Sequence, residues 1–265
     1  MKPALHFLAP LITVALCAAL LAHGPIAQLD HYHDFADQSV LLTIPHAADV
    51  LSNIAFALVA GWGLLRLWPA RRHAALAAGW HGYLLFLVGL ALTALGSSFY
   101  HLAPDNARLV FDRLPIALAC AGLIAAVRAE SLAYDSSRRD AIALALIGVA
   151  SVAWWAWTDR AGAGDLRPYL LLQGLPLILI PLWQGVYKAP KADRIAFGAA
   201  LLLYVLAKAA EVNDHALLAQ LGVVSGHTLK HLLAAAAAGL IVARLVRRTV
   251  VQPASRLHAA PAVAS

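Results

Sequence analysis

Five residues in two stretches of this chain carry groups that can act together on a substrate. In "ALGSSFYHLAPDNARLVFDRLP", residues 94–115, Ser97 and His101 stand four apart and Asp112 follows eleven residues after the histidine. In "SGHTLKHLLAA", residues 225–235, His227 and His231 are again four apart. On a helix that spacing puts both members of each pair on one face. Three imidazoles brought to one depth leave the fourth position of a tetrahedral metal free for water, the arrangement of a catalytic rather than a structural zinc site. Zinc lowers the pKa of its water to about 7, Asp112 is then the candidate base, and Ser97 the candidate donor to the oxyanion that forms on an attacked carbonyl. Each piece has a plainer reading. The chain has twelve histidines, so one His-x-x-x-His pair says little; serines let membrane helices pack closely, and Asp112 beside Arg113 reads as an interfacial ion pair. The weight comes from all five falling at one predicted membrane face, where ionisable groups are costly.

The elements that must position them are membrane spans. Of 265 residues, 62% are hydrophobic and 13% charged, against roughly 25% charged in soluble domains. Apolar runs of spanning length fall at about 4–22, 46–67, 80–102, 111–129, 140–157, 168–187, 194–212 and 223–246. This predicts an all-α polytopic bundle: an N-terminal span or leader over 1–23, a seven-span core over 24–248, and a disordered cytoplasmic tail over 249–265. The first run lacks a convincing small-residue cleavage site and reads better as a retained span. Arginine and lysine cluster after alternate runs, at Arg66, Arg71 and Arg72, at Arg128, Arg138 and Arg139, at Lys188, Lys191 and Arg194, and at Arg244, Arg247 and Arg248. By the positive-inside rule these loops face the cytoplasm, and the loops carrying Asp30, Asp34, Asp37, Asp105, Asp159, Asp165, Glu211 and Asp214 face out, with the candidate site. The net charge of +6 is spent on these clusters, so nucleic acid is not expected as a partner. Cys17 and Cys120 lie far apart inside apolar runs and indicate neither a disulfide framework nor a cysteine metal site.

The pattern Ser97-x-x-x-His101, Asp112, His227-x-x-x-His231 resembles the alkaline ceramidase family, within the membrane hydrolase superfamily that includes adiponectin-type receptors. The segment "DVLSNIAF", with Ser52 and Asn53, resembles it too, and the likeness covers about residues 30–247. It implies zinc on His101, His227 and His231, Asp112 acting on the zinc water, Ser97 stabilising the amide oxygen, and hydrolysis of ceramides to a fatty acid and a sphingoid base. Eukaryotic members add a calcium site from an acidic, tryptophan-containing segment and a glutamate at the start of the first core span. Here that region, "LDHYHDFADQSVLLTIPHAAD", has neither residue, and His46 falls near the glutamate's place. Asp30, Asp34 and Asp37 still offer oxygen ligands for Ca2+, set against the plainer reading of a solvated acidic loop; His31 and His33 are a weaker pair. Glu211, Asp214 and His215 are expected either to orient a ligand imidazole or simply to end a helix. Lys230 is expected to point away from the metal, towards a lipid headgroup or Glu211.

The leading expectation is therefore a zinc-dependent membrane amidohydrolase with a membrane lipid as substrate, in a bacterial cytoplasmic membrane, its site towards the non-cytoplasmic leaflet. A receptor-like or regulatory seven-span protein with a structural metal is the alternative. A transporter ranks lower, because no matched glycine or proline interruptions divide the chain into halves. The oligomeric state is left open by the sequence.

Overall fold

Inside hydrocarbon every backbone polar group must find its partner within the protein, and an apolar run of about twenty residues does this as a helix. The computed structural model describes residues 7–250. Its helices are α1 (Leu8–His23), α2 (Ala47–Ser52), α3 (Ile54–Leu67), α4 (Trp80–Leu102), α5 (Asn106–Ser131), α6 (Arg138–Arg160), α7 (Arg167–Val186), α8 (Lys191–Val212), α9 (Asp214–Leu221) and α10 (Gly226–Val250). With α2 and α3 taken as one span, seven are long and apolar enough to cross a membrane. The all-α, seven-span architecture is thus as expected, with the shorter apolar α1 beside it packed on α7. At 16 residues, α1 extends about 24 Å, less than the ~30 Å hydrocarbon core. All but the first two residues of the expected 249–265 tail lie outside the described residues.

Leu65, Leu95 and Leu146 are among the large side chains turned outward, as a lipid-facing surface requires. The interior is built around α5, the most buried span, which packs on α4, α6 and α7. Within the segment 24–45 the structure forms a two-residue antiparallel ladder, Val40–Leu41 with Ile44–Pro45, closed by Leu42 and Thr43 at positive φ; it was not foreseen.

Two helix contacts fix the height of the candidate residues. Gly82, Gly89 and Gly96 recur every seven residues along α4 and meet α5 so closely that a Cβ on each would strike backbone. Pro115 has no N–H, so the Phe111 carbonyl one turn earlier lacks its helical donor. Gly96 packs on that carbonyl: a Cβ there would lie 1.9 Å from Phe111 O. Ser97 and Asp112, the next residues on each helix, both line one cavity near this contact. Gly226 plays the same part for α10, where a Cβ would lie 2.2 Å from Ala210 O and 2.7 Å from Asp214 Cα. These obstacles are backbone and cannot rotate away. Gly96→Ala is expected to cost at least the ~1–3 kcal/mol typical of overpacking, read as a lower unfolding temperature in detergent, whereas Gly174→Ala, where nothing lies within 4 Å of the added carbon, should change little.

Candidate metal centre

His101 closes the last turn of α4, and His227 and His231 occupy the first two turns of α10. All three are buried, and one ring nitrogen from each lies within 4.8 Å of the other two, the only such group of His, Cys, Asp or Glu among the described residues. His227 Nε2 and His101 Nε2 are 3.1 Å apart. Zinc–nitrogen bonds of 2.0–2.1 Å place tetrahedral ligands roughly 3.3 Å from each other. One pair is already near that separation, and the others lie within 4.8 Å. The three imidazoles can therefore hold a metal ion, and imidazole sets suit zinc, copper, iron or nickel.

The fold aims these rings by specific contacts. At the α2–α3 junction the Asn53 amide bonds Val50 and Leu51 rather than Asp49. This tightening frees the Asp49 carbonyl, which accepts from Ser52 Oγ (2.8 Å), Asn53 Nδ2 (3.0 Å) and His231 Nδ1 (3.2 Å). Ser52 Oγ is also 2.8 Å from His231 Nδ1. With Nδ1 engaged, His231 Nε2 is left for a ligand, the outer-shell arrangement that metal-binding histidines require. His227 is set through its backbone: its amide donates to Asp214 Oδ1 at 2.7 Å, while the Ala36 amide donates to Asp214 Oδ2 at 2.9 Å. Ser225 caps α10 by accepting from the Thr228 amide, and Thr228 Oγ1 donates to Asp49 Oδ1, tying α10 to α2. Phe35 lies over the cluster, its ring 4.6 Å from His101 and 4.5 Å from His227. It shields the histidines on the side of the segment 24–45, which is itself pinned through His33 to Tyr100 and Asn106.

The segment carries its own helix cap. Asp37 accepts from the Ser39 and Asp49 amides, both at 3.0 Å, and so closes the first turn of α2 from outside that helix. Burial pushes its pKa up, but the hydrogen bonds from Ser39 and the α2 amides outweigh this and hold it below the ordinary 3.8. Its contribution to stability is then fully present above about pH 4 and is lost as pH falls through the lowered folded value. Acidifying the wild type from pH 5 to pH 3 should therefore lower its unfolding temperature more than it lowers that of Asp37→Asn, which has no such group to titrate.

Ser97 and Asp112 are also buried and share one cavity wall with His231. Ser97 Oγ lies 3.5 Å from His231 Nε2, and Asp112 has no hydrogen-bond partner among the described residues. The cavity, of about 220 Å³, runs between α4, α5, α7, α8 and α10. Along α5 it is lined from Asp112 to Leu123 and along α10 from Lys230 to Ile241, a length of roughly 16 Å at 1.5 Å per residue. Ionisable groups line its upper end, and apolar side chains most of the rest.

Some expectations are corrected. Lys230 does not point away: its Nζ is 3.0 Å from His227 Nε2 and 2.9 Å from Glu211 Oε1, within the cavity. Lys230 is three residues after His227, so the two share a helix face, and the flexible stem brings the ammonium to the ring. Of the two expected partners, a lipid headgroup or Glu211, the structure shows Glu211. Of Glu211, Asp214 and His215 none bonds a ligand ring; Asp214 sets His227 only through its backbone amide, Glu211 pairs with Lys208 and Lys230, and His215 turns to Asp34. Ser52 and the Asp49 carbonyl take that role for His231. Of the three aspartates considered for calcium, Asp30 and Asp34 are exposed and Asp37 is spent on the α2 cap, so the structure does not gather them. Cys17 and Cys120 are both free.

The chain matches no protein-family model, no curated protein and no solved structure. What stands is a seven-span membrane bundle with a buried three-histidine cluster.

Proposed function

We propose that this protein is a zinc-dependent membrane amidohydrolase that cleaves an N-acyl lipid, with ceramide, split to a fatty acid and a sphingoid-type base, as the substrate the family resemblance implies. The observation that carries the reading is the position of the three histidines: buried, and at the polar end of an elongated apolar cavity whose wall also carries Ser97 and Asp112. Zinc on His101, His227 and His231 would supply a Lewis acid and lower the pKa of a bound water to about 7.

The chain's own residues do the rest. The cavity takes an acyl chain along α5 and α10 and so delivers the amide to the histidine end. Ser97 Oγ–H donates to the carbonyl oxygen as negative charge develops on it. Asp112 takes the proton of the attacking water and returns one to the departing amine nitrogen, a carboxylate acting as base and then acid. Phe35 and the segment it belongs to keep bulk water from the opposite side. The site faces the non-cytoplasmic side, a placement supported by the arginine and lysine clusters at the other loops.

The same Phe35 cover favours a second reading, a receptor-like or regulatory protein whose metal is structural, since it closes the cluster on one side. The two readings part on turnover. Purified protein should release fatty acid from at least one lipid in a panel of N-acyl lipids, lose that activity on chelation and regain it with zinc. Folded, zinc-loaded protein that cleaves none of them would sink the hydrolase reading.

A further inference from the structure

Arg113 is among the most buried large side chains of the protein, 2% exposed, and lines the upper end of the cavity. No carboxylate pairs with it among the described residues, and its Nε and Nη1 have no hydrogen-bond partner. It is held instead by ring faces: Trp155 at 4.0 Å, Tyr32 at 4.9 Å and Tyr169 at 5.5 Å from the guanidinium carbon. Such contacts offset part of the cost of burying a guanidinium, yet they supply no acceptor to its donors. An unpaired buried cation is expensive, and native proteins keep one where a partner of opposite charge arrives.

The surrounding charges point the same way. Lys208 and Lys230 line the cavity at this end as well, and both pair with one carboxylate, Glu211. With Asp112 as the other acid, three cations face two carboxylates. The excess is one positive charge, in a cavity with otherwise apolar walls. Planar, forked Arg113 suits a planar two-oxygen anion.

We propose that Arg113, supported by Lys230, recognises a carboxylate on the amine-derived part of the substrate, so that the lipid is an N-acylated amino acid rather than an N-acyl lipid with an uncharged head. This rests on the hydrolase reading above and narrows it. In the reaction the water oxygen joins the acyl carbon, the C–N bond breaks, the amine nitrogen gains a proton, and a fatty acid and a free amino acid leave.

The test is equilibrium binding to metal-stripped, full-length protein in detergent, which needs no turnover. Three probes share one acyl chain: N-palmitoylglycine, uncharged N-palmitoylethanolamine, and palmitate. The expected result is that N-palmitoylglycine binds at least about tenfold more tightly than N-palmitoylethanolamine and more tightly than palmitate. Arg113→Gln should bring the first two within about twofold, and Lys230→Gln should narrow the gap part-way. Equal affinity of wild type for the glycine and ethanolamine amides overturns the proposal without any variant, so a misfolded Arg113→Gln cannot shelter it. A folded Arg113→Gln that keeps the preference overturns it too. Palmitate binding as tightly as N-palmitoylglycine would assign the cationic end to a fatty-acid carboxylate and overturn the amino-acid class. Carboxylate selectivity in a zinc-loaded protein that hydrolyses nothing removes the hydrolase reading alone, whereas ceramide hydrolysis without selectivity removes only this one.

Discussion

Purified wild-type protein is expected to carry about one zinc per chain, and His231→Ala to carry almost none while remaining folded. Two imidazoles cannot complete the set, and His231 is the ring whose second nitrogen is already fixed by Ser52 and the Asp49 carbonyl. Removing it should cost the metal more than the fold. The Asp49 carbonyl keeps Ser52 Oγ at 2.8 Å and Asn53 Nδ2 at 3.0 Å, so no buried backbone acceptor is orphaned. What is lost is side-chain volume at the top of α10, a penalty of a few kcal/mol by comparison with other buried large-to-small changes, roughly 2–5 kcal/mol. Elemental mass spectrometry of both proteins, with helix content and monodispersity as the folding check, reads the outcome. Metal-free wild type that is well folded even after zinc is resupplied would refute the metal centre. Loss of folded protein together with loss of metal would favour the structural-metal reading instead.

The features legible in the sequence are those that depend on near neighbours in the chain. Hydropathy placed seven core spans within a few residues of the observed helices, because a helix in hydrocarbon must be continuous. The i,i+4 spacing put His227 and His231 on one face, and charge placement put His101 at the same end. What sequence did not deliver lies in contacts across the chain or in the backbone. The partner of His231 is a carbonyl freed by local tightening before Asn53, and no side-chain pattern announces a freed carbonyl. Phe35 reaches the histidines from a segment more than sixty residues before His101. Lys230 departs from expectation for a different reason: adjacency turns it from His231, but its i,i+3 relation to His227 brings its ammonium to that ring. The seven-residue recurrence of Gly82, Gly89 and Gly96 was open to reading, yet its use at Gly96 depends on Pro115 in another helix. Adjacency in sequence makes Arg113 a candidate ion-pair partner of Asp112, but among the described residues it pairs with no carboxylate and lies against three aromatic rings instead.

Asp112→Ala is expected to lower turnover about 10²- to 10⁴-fold, the usual contribution of a positioned acid–base group, with zinc content unchanged. The carboxylate is buried, lines the cavity beside Ser97 and His231, and accepts no hydrogen bond among the described residues. A carboxylate with a purely structural task would be committed to donors, as Asp37 and Asp214 are to backbone amides. Asp112 is instead given no such donor, which suits the proton transfer that the proposed reaction asks of it. Asp112→Asn separates the two roles, because it keeps the shape and removes the basicity. It should match Asp112→Ala in turnover, with the loss in kcat rather than KM, while retaining wild-type stability. A folded Asp112→Asn with full activity would fail the base assignment. Full stability with lost turnover, in a protein that still holds its metal, would tie Asp112 to the chemistry and not to the fold.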